Sequence, residues 1–214
     1  MSQNADEGSS RRRGRGPSLA ELDPAKTPGH VAIVLDTKSR EALDKDEAAA
    51  AQEIVHCAAE LGVGLLTLCG SEELCAALEK EGLVQEAPKG MRVRLKATRG
   101  RDEILDAARR IAQDVRRGVL QARSVDARIL DRYLEPRGIP ELDLLICTGG
   151  VQRLSNFLIW QAAYAEMYIA EEPWTELGRD ALVAALLSYQ RRERRFGRVA
   201  APSAASPLSL SKAG

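Results

Sequence analysis

Short apolar runs alternate with amphipathic stretches along the central part of the chain. HVAIVLD (30–36), VGLLTLCG (63–70) and DLLIC (143–147) are nearly continuous apolar runs, which is typical of strands buried on both faces. MRVRLKAT (91–98) alternates apolar and polar positions, which predicts a strand with one wetter face. Strands of this kind separated by helix patterns predict an α/β fold with a mainly parallel central sheet and helices on both faces.

The stretches between these runs carry helix patterns. Residues 44–61 are predicted to form a helix ended by Gly62, and residues 101–118 a strongly amphipathic helix ended by Gly118. Ser124 is the predicted N-cap of a shorter helix. Further helices are predicted at 71–82, 153–169 and 179–195.

Both ends of the chain lack periodic apolar positions. Residues 1–27 and 199–214 are rich in small and polar residues, so we predict disordered tails around a single domain at 28–198. The first tail is basic (SRRRGR, 10–15). Such a tract is either a solvated tail or a weak contact with anionic lipid or RNA.

Composition narrows the class of protein. The charges of the 31 basic and 31 acidic residues cancel, so the chain has no net positive charge to attract nucleic acid. Nucleic acid is therefore not expected as a partner. The sequence shows neither a membrane span nor a signal peptide. We therefore predict a soluble cytoplasmic protein, and peripheral contact with a membrane surface is the alternative. The four cysteines lack CxxC spacing. They are expected to be buried free thiols, with disulfides or zinc as the alternatives.

The residues after the last predicted buried strand can hold an anion. Ligands of parallel sheets bind at the carboxyl ends of the strands. Gly149 and Gly150 allow a sharp turn that exposes N–H groups, and the dipole of the predicted next helix favours negative charge. Arg153 and Ser155 could bind phosphate oxygens. The alternative is a tight strand–helix turn with a capping serine.

Asp36 stands at the end of the first predicted strand. A carboxylate there suits a Mg²⁺ ion that bridges to a diphosphate, and Arg40 could bind the same ligand. The alternative is a helix-capping aspartate and an exposed arginine. Gly100 and Arg101 repeat the pattern of a glycine and a cation after a strand. His30 and His56 are interpreted as structural, and neither a dinucleotide nor a P-loop motif is present.

Four segments resemble the motifs of one family. LLICTGGVQRLSNFLIWQAAYAEMY resembles the C-terminal signature of the cis-prenyltransferases, the undecaprenyl and dehydrodolichyl diphosphate synthases. PGHVAIVLDTKSRE (28–41) is similar to their first motif, ATRGRDEI (97–104) to a middle motif and RRERRFG (191–197) to their ending. The resemblance covers about residues 28–198.

The resemblance implies an activity. Members of this family fold as an α/β sheet with a hydrophobic tunnel, act as dimers, and condense isopentenyl diphosphate with an allylic diphosphate in the presence of magnesium. The resemblance assigns Asp36 to the binding of the allylic diphosphate and the metal, and Arg40 to the binding of that diphosphate. It assigns Arg153 and Ser155 to isopentenyl diphosphate. Glu166 matches a glutamate associated with the metal and the dimer interface, and Arg195 and Gly197 match a motif that reaches a diphosphate across the dimer.

Several positions depart from the family pattern. Cys147 replaces an arginine that binds isopentenyl diphosphate, and Val151 replaces a glutamate. TKS (37–39) replaces G-N-G, and the segment between the second and third predicted strands lacks the helices that wall the tunnel. Two hypotheses follow. The chain is either an active cis-prenyltransferase or a weak or inactive accessory subunit, in a homodimer or in a heterodimer with a full-length relative.

Overall fold

Five parallel strands form one central sheet. The computed structural model describes residues 18–35, 45–83, 88–135, 138–150 and 156–192. The sheet has the order β3-β2-β1-β4-β5, and every neighbouring pair is parallel. The strands are β1 (His30–Val34), β2 (Leu65–Cys69), β3 (Arg92–Lys96), β4 (Leu144–Cys147) and β5 (Glu166–Ile169). The predicted parallel sheet is confirmed.

Helices cover both faces of this sheet. They are α1 (Lys45–Glu60), α2 (Glu72–Lys80), α3 (Gly100–Arg116), α4 (Ala127–Leu134) and α5 (Arg179–Arg191). None of the helices within the described ranges combines the length and the apolar character needed to cross a bilayer.

The two faces of the sheet bury different side chains. On one face, residues such as Val31, Ile33 and Leu66 join the apolar sides of α1 and α5 in the larger core cluster. On the other face, a smaller cluster contains Ala32, Val34, Cys69, Leu145 and Cys147. The near-continuous apolar runs of β1, β2 and β4 arise because both faces are covered.

The predicted helix at 153–169 is wrong over the part that the structure describes. Gln161–Tyr164 forms a 3₁₀ turn, and Glu166–Ile169 is strand β5, hydrogen-bonded in parallel to β4. Without β5, the outer edge of the buried strand β4 would lack backbone partners, and pairing satisfies those groups. A continuous apolar run does not distinguish the two structures, because it lacks a clear period.

The predicted N-cap of α4 is also wrong. Ser124 ends a 3₁₀ turn at Ala122–Ser124, and the cap is Asp126, whose side chain accepts a hydrogen bond from the Ile129 N–H at 2.9 Å. Both residues are good capping types, so the sequence offers two caps within three positions.

Part of the predicted disordered N-terminal tail is structured. Leu19–Glu21 and Pro24–Lys26 form 3₁₀ turns. Gln190 of α5 accepts a hydrogen bond from the Asp23 N–H at 3.0 Å and donates one to the Asp23 carbonyl at 2.9 Å. These contacts attach the segment to α5. Residues 1–17 and 199–214 lie outside the described ranges, so their disorder stays a prediction.

Candidate functional site

Three loops meet at the carboxyl ends of the strands, where the sequence predicts a ligand site. The Thr148 hydroxyl donates to the Val34 carbonyl at 2.8 Å, which connects the ends of β4 and β1. The Gly100 N–H donates to the Asn156 carbonyl at 2.7 Å, which connects the start of α3 to the segment after the glycine turn. Parallel topology therefore brings together loops that are far apart in sequence.

Gly149 and Gly150 form the turn that follows β4. Both have positive φ, +78° and +66°, so two left-handed residues follow one another where only glycine fits without strain. The prediction that their N–H groups are exposed is wrong. The Gly149 N–H donates to the Glu172 carbonyl and the Gly150 N–H to the Ala170 carbonyl, both at 2.8 Å.

This correction changes the electrostatics of the turn. Both amides already have acceptors, so the described turn offers no free N–H pair to an anion. The described residues 156–169 contain no α-helix, so the predicted helix dipole is missing from them as well. A Cβ at Gly150 would lie 2.9 Å from Oε2 of Glu171, so a carboxylate rests against the turn. An anion at this turn would therefore have to be bound by side chains rather than by the glycine amides.

Cys147 ends β4 beside this turn and is buried in the smaller apolar cluster. All four cysteines are buried thiols outside any disulfide, as predicted. Burial raises the pKa of the Cys69 thiol to about 12, which keeps it protonated. Within the described residues, no group of three or more histidine, cysteine, aspartate or glutamate side chains could hold a metal ion.

A buried charge cluster lies beside the carboxyl end of β3. Lys96 is 5% exposed and forms ion pairs with Glu103 of α3 and with Glu135 after α4. Arg94 also pairs with Glu135, and Gln161 donates to the same carboxylate at 2.7 Å. Burial opposes ionisation of Glu135, but the nearby Lys96 and Arg94 charges outweigh it and lower its pKa.

This charge cluster was not predicted from the sequence. It joins β3, α3, α4 and the Gln161 turn, so it fixes the segment that follows the glycine turn. Two of its buried atoms, Glu103 Oε2 and Gln161 Oε1, have no hydrogen-bond partner among the residues that the structure describes. The sequence pattern that could have indicated the cluster is the presence of cations at alternate positions of one strand, Arg92, Arg94 and Lys96. Alternate positions of a strand face the same side of the sheet.

His30 is structural, as interpreted from the sequence. Its Nδ1 lies 3.0 Å from the Pro140 carbonyl and its Nε2 lies 2.8 Å from the Thr67 hydroxyl. Since a carbonyl only accepts, Nδ1 carries the proton and Nε2 accepts from Thr67. Burial, the largest effect, lowers the pKa of His30, while the Pro140 hydrogen bond acts in the opposite direction.

Most of the predicted ligand-binding side chains lie outside the described residues, although their described neighbours reach this edge of the sheet. Leu35, which precedes Asp36, donates its N–H to the Cys69 carbonyl at 2.8 Å. Gly150 and Asn156 flank the segment that contains Arg153 and Ser155. The predicted residues outside the described ranges are Asp36, Arg40, Arg153, Ser155, Arg195 and Gly197.

Glu166 does not join this edge within one chain. It is the first residue of β5 and is paired in register with Leu144, at the amino end of the sheet. Its carboxylate forms an ion pair with Arg192 at 2.9 Å. It lies three residue steps from Ile169 at the other end of β5, about 10 Å along the strand. Glu166 therefore lies at the end of the sheet opposite to the carboxyl ends of β4 and β5.

The family assignment is given by a match to the C-terminal part of the chain. The sequence profile of the family described as "Putative undecaprenyl diphosphate synthase" matches residues 71–197, which is more than half of the chain. The chain belongs to the cis-prenyltransferase family. The resemblance seen in the motifs is thereby confirmed.

Individual relatives match over different lengths. A tritrans,polycis-undecaprenyl-diphosphate synthase of Thermoplasma volcanium is 44% identical over 99 residues, which are 46% of this chain and 38% of that protein. A ditrans,polycis-undecaprenyl-diphosphate synthase of Acinetobacter baylyi is 48% identical over 96 residues, 45% of this chain and 39% of that protein. This cis-prenyltransferase chain thus spans about two fifths of the first curated relatives that it matches.

Two comparisons extend over most of the chain. The tritrans,polycis-undecaprenyl-diphosphate synthase of Methanocaldococcus jannaschii is 28% identical over 238 residues, covering 83% of this chain and 85% of that protein. The crystal structure of lavandulyl diphosphate synthase from Lavandula x intermedia, in complex with dimethylallyl diphosphate, matches with a TM-score of 0.65 and 29% identity. That match covers 81% of this chain and 100% of the other. The cis-prenyltransferase fold is therefore present in this chain.

Proposed function

We propose that this chain is a cis-prenyltransferase that condenses isopentenyl diphosphate with an allylic diphosphate to form a polyprenyl diphosphate. The observation that carries the proposal is the family match over residues 71–197, which includes Arg153, Ser155 and the glycine turn. The first motif, with Asp36 and Arg40, lies before that match, so these two residues are proposed on their resemblance to the family motif and on their place after β1.

The chemistry requires neutralisation of a leaving diphosphate. The allylic C–O bond breaks, a C–C bond forms to the terminal carbon of isopentenyl diphosphate, and a proton is lost as diphosphate departs. We propose that Arg40 binds the allylic diphosphate and that Arg153 and Ser155 bind isopentenyl diphosphate. Since the amides of Gly149 and Gly150 are already paired, these side chains carry the anion binding in the proposal.

We propose that Mg²⁺ is the cofactor and that Asp36 holds it, because oxygen ligands and diphosphates are its usual partners. When bound, the ion supplies positive charge at the leaving group. Glu166 lies at the opposite end of the sheet in its own chain, so any part that it takes in this site requires a second chain. This agrees with a proposed dimer, in which Arg195 and Gly197 also reach a neighbouring site.

The accessory-subunit hypothesis is not favoured, since the relatives are named as synthases. The decisive experiment is incorporation of radiolabelled isopentenyl diphosphate with dimethylallyl, geranyl or farnesyl diphosphate and magnesium. The purified chain is assayed alone and mixed with a full-length relative. Turnover by the chain alone that is lost in Asp36→Ala supports the proposal. Turnover that occurs only in the mixture and survives Asp36→Ala contradicts it.

A further inference from the structure

The connection between α3 and α4 exposes apolar and basic side chains together. Residues 116–128 (RRGVLQARSVDAR), which we name the α3–α4 loop, include the last residue of α3 and the first two of α4. All are exposed except half-buried Leu120. Val119 is 74% exposed and Val125 is 39% exposed, and they are among the few large apolar side chains at the described surface. Four arginines and one aspartate give the loop a net charge of +3, whereas the whole chain is neutral.

The helix end does not explain why Val119 is apolar. The Val119 N–H donates to the Asp114 carbonyl at 2.9 Å and the Gly118 N–H to the Val115 carbonyl at 3.1 Å, which is the Schellman ending of α3. In that motif the residue at the place of Val119 usually packs against the preceding helical turn. Here about three quarters of the surface of Val119 is exposed to solvent instead, so its apolar side chain contributes little to packing.

The arginines of the loop are likewise directed to solvent. Arg117 lies 4.0 Å from Asp114 and its side chain remains 66% exposed. Arg123 donates to the Gln121 side-chain oxygen at 3.0 Å. Glutamine is neutral, so this hydrogen bond does not neutralise the charge of Arg123. Guanidinium groups bind phosphate oxygens through paired hydrogen bonds.

We propose that the α3–α4 loop docks this protein on an anionic lipid surface. Exposed valines can enter the boundary of the acyl chains while the surrounding arginines bind lipid phosphates. A single-stranded nucleic acid is disfavoured as the occupant, because such sites usually stack bases on aromatic rings and this loop contains none. Charge complementarity together with two exposed valines fits a bilayer surface.

The loop is separate from the proposed active site. Helix α3 starts at Gly100, beside the carboxyl ends of the strands, and its 17 residues extend about 25 Å to the loop. The loop is also distinct from the basic tract at 10–15. The proposal therefore does not depend on catalytic activity.

The test measures binding of the full chain to phosphatidylcholine vesicles with and without phosphatidylglycerol. We compare the double variant Arg117→Gln/Arg123→Gln with the control Arg109→Gln/Arg179→Gln, which removes the same charge elsewhere on the exposed surface. Each arginine near an anionic bilayer contributes about fivefold in partitioning. The loop variant should therefore lose about 25-fold and the control less than about twofold. Circular dichroism checks that each variant is folded.

A second measurement tests insertion of the apolar side chain. All four native cysteines are buried, so an environment-sensitive fluorophore will attach selectively to Val119→Cys or to the control Leu105→Cys, an exposed site on α3. Anionic vesicles should raise and blue-shift the emission at position 119 and leave that at 105 unchanged.

Three outcomes would overturn the proposal. They are an absence of vesicle binding by the unmodified chain, equal losses in both double variants, and an unchanged emission at position 119. Retention of an RNA oligonucleotide that depends on Arg117 and Arg123, without vesicle binding, would assign the loop to nucleic acid instead.

Discussion

His30 connects three distant parts of the chain at the amino end of the sheet. Its ring bridges the Pro140 carbonyl and the Thr67 hydroxyl, and it is buried in a neutral form because burial lowers its pKa. Protonation would give both ring nitrogens a hydrogen, so Nε2 could no longer accept from Thr67.

The lowered pKa of His30 predicts a pH-dependent stability. The unfolded chain binds a proton to this histidine below about pH 6.5, whereas the folded chain resists it. The free energy of unfolding should therefore fall as the pH drops below about 6.5. Urea titrations of the wild type and His30→Gln, in steps from neutral to mildly acidic pH, measure this. His30→Gln lacks this titrating group and should show a smaller fall, and a fall as steep as that of the wild type would contradict the prediction.

Gly150 is constrained by its backbone conformation, and the Glu171 carboxylate lies beside it. Its φ of +66° disfavours other residues, and a Cβ would meet Glu171 Oε2 at 2.9 Å. Gly150→Ala should cost about 1–2 kcal/mol for the backbone. The Glu171 Oε2 atom adds little, because it is the free end of an exposed flexible side chain that can move aside. Gly118→Ala has a similar φ of +75° with open space around it, so it should show about the same cost.

Urea midpoints of the two single variants measure both losses. A clearly larger loss in Gly150→Ala that Glu171→Ala removes would contradict this expectation, because it would show that the Glu171 side chain cannot move aside.

Among the elements, β3, α3 and α4 are joined by the Lys96 charge cluster. Removing one partner of a buried ion pair leaves the other charge uncompensated, at a cost of about 3–5 kcal/mol. Lys96→Met should therefore destabilise the protein by about that amount, because Glu103 and Glu135 would lose their shared partner. Lys96→Met/Glu103→Met should be less destabilised than the single variant, since one buried charge is removed together with its partner.

A surface pair on α3 provides the control. Arg109 and Asp106 pair with side chains that are 64% and 60% exposed, so Arg109→Met should cost less than about 1 kcal/mol. A Lys96→Met loss as small as this would show that the cluster is solvated rather than buried.

The elements also show where sequence patterns suffice and where they fail. β1, β2 and β4 were predicted because their apolar runs are bounded by glycines or polar residues, and α3 because its period is clear. β5 was missed because its identity depends on the open edge of β4, a contact that is not local in sequence. In the same way, Gly149 and Gly150 marked a turn, but only the fold shows that their N–H groups bind the carbonyls of Ala170 and Glu172.

On the scale of the whole molecule, the candidate site is a composite of loops on one edge of the sheet. Topology sets their proximity, through contacts such as Thr148 to Val34 and Gly100 to Asn156. The motifs identified the family, and with it the proposed ligands. They could not reveal that Glu166 lies at the opposite end of the sheet, because the strand that places it was expected to be a helix.

A binding measurement tests the composite site independently of turnover. A ligand that binds only the folded protein stabilises it by about 2.7 kcal/mol at 100 times its Kd, so dimethylallyl diphosphate with magnesium should raise the Tm. Asp36→Asn should abolish the magnesium-dependent part of that rise, whereas Asp180→Asn, an exposed aspartate of α5, should preserve it. A rise in Tm without product formation would identify a chain that binds the substrate but needs a partner for catalysis. No rise at any ligand concentration would remove Asp36 and the three loops as the diphosphate site.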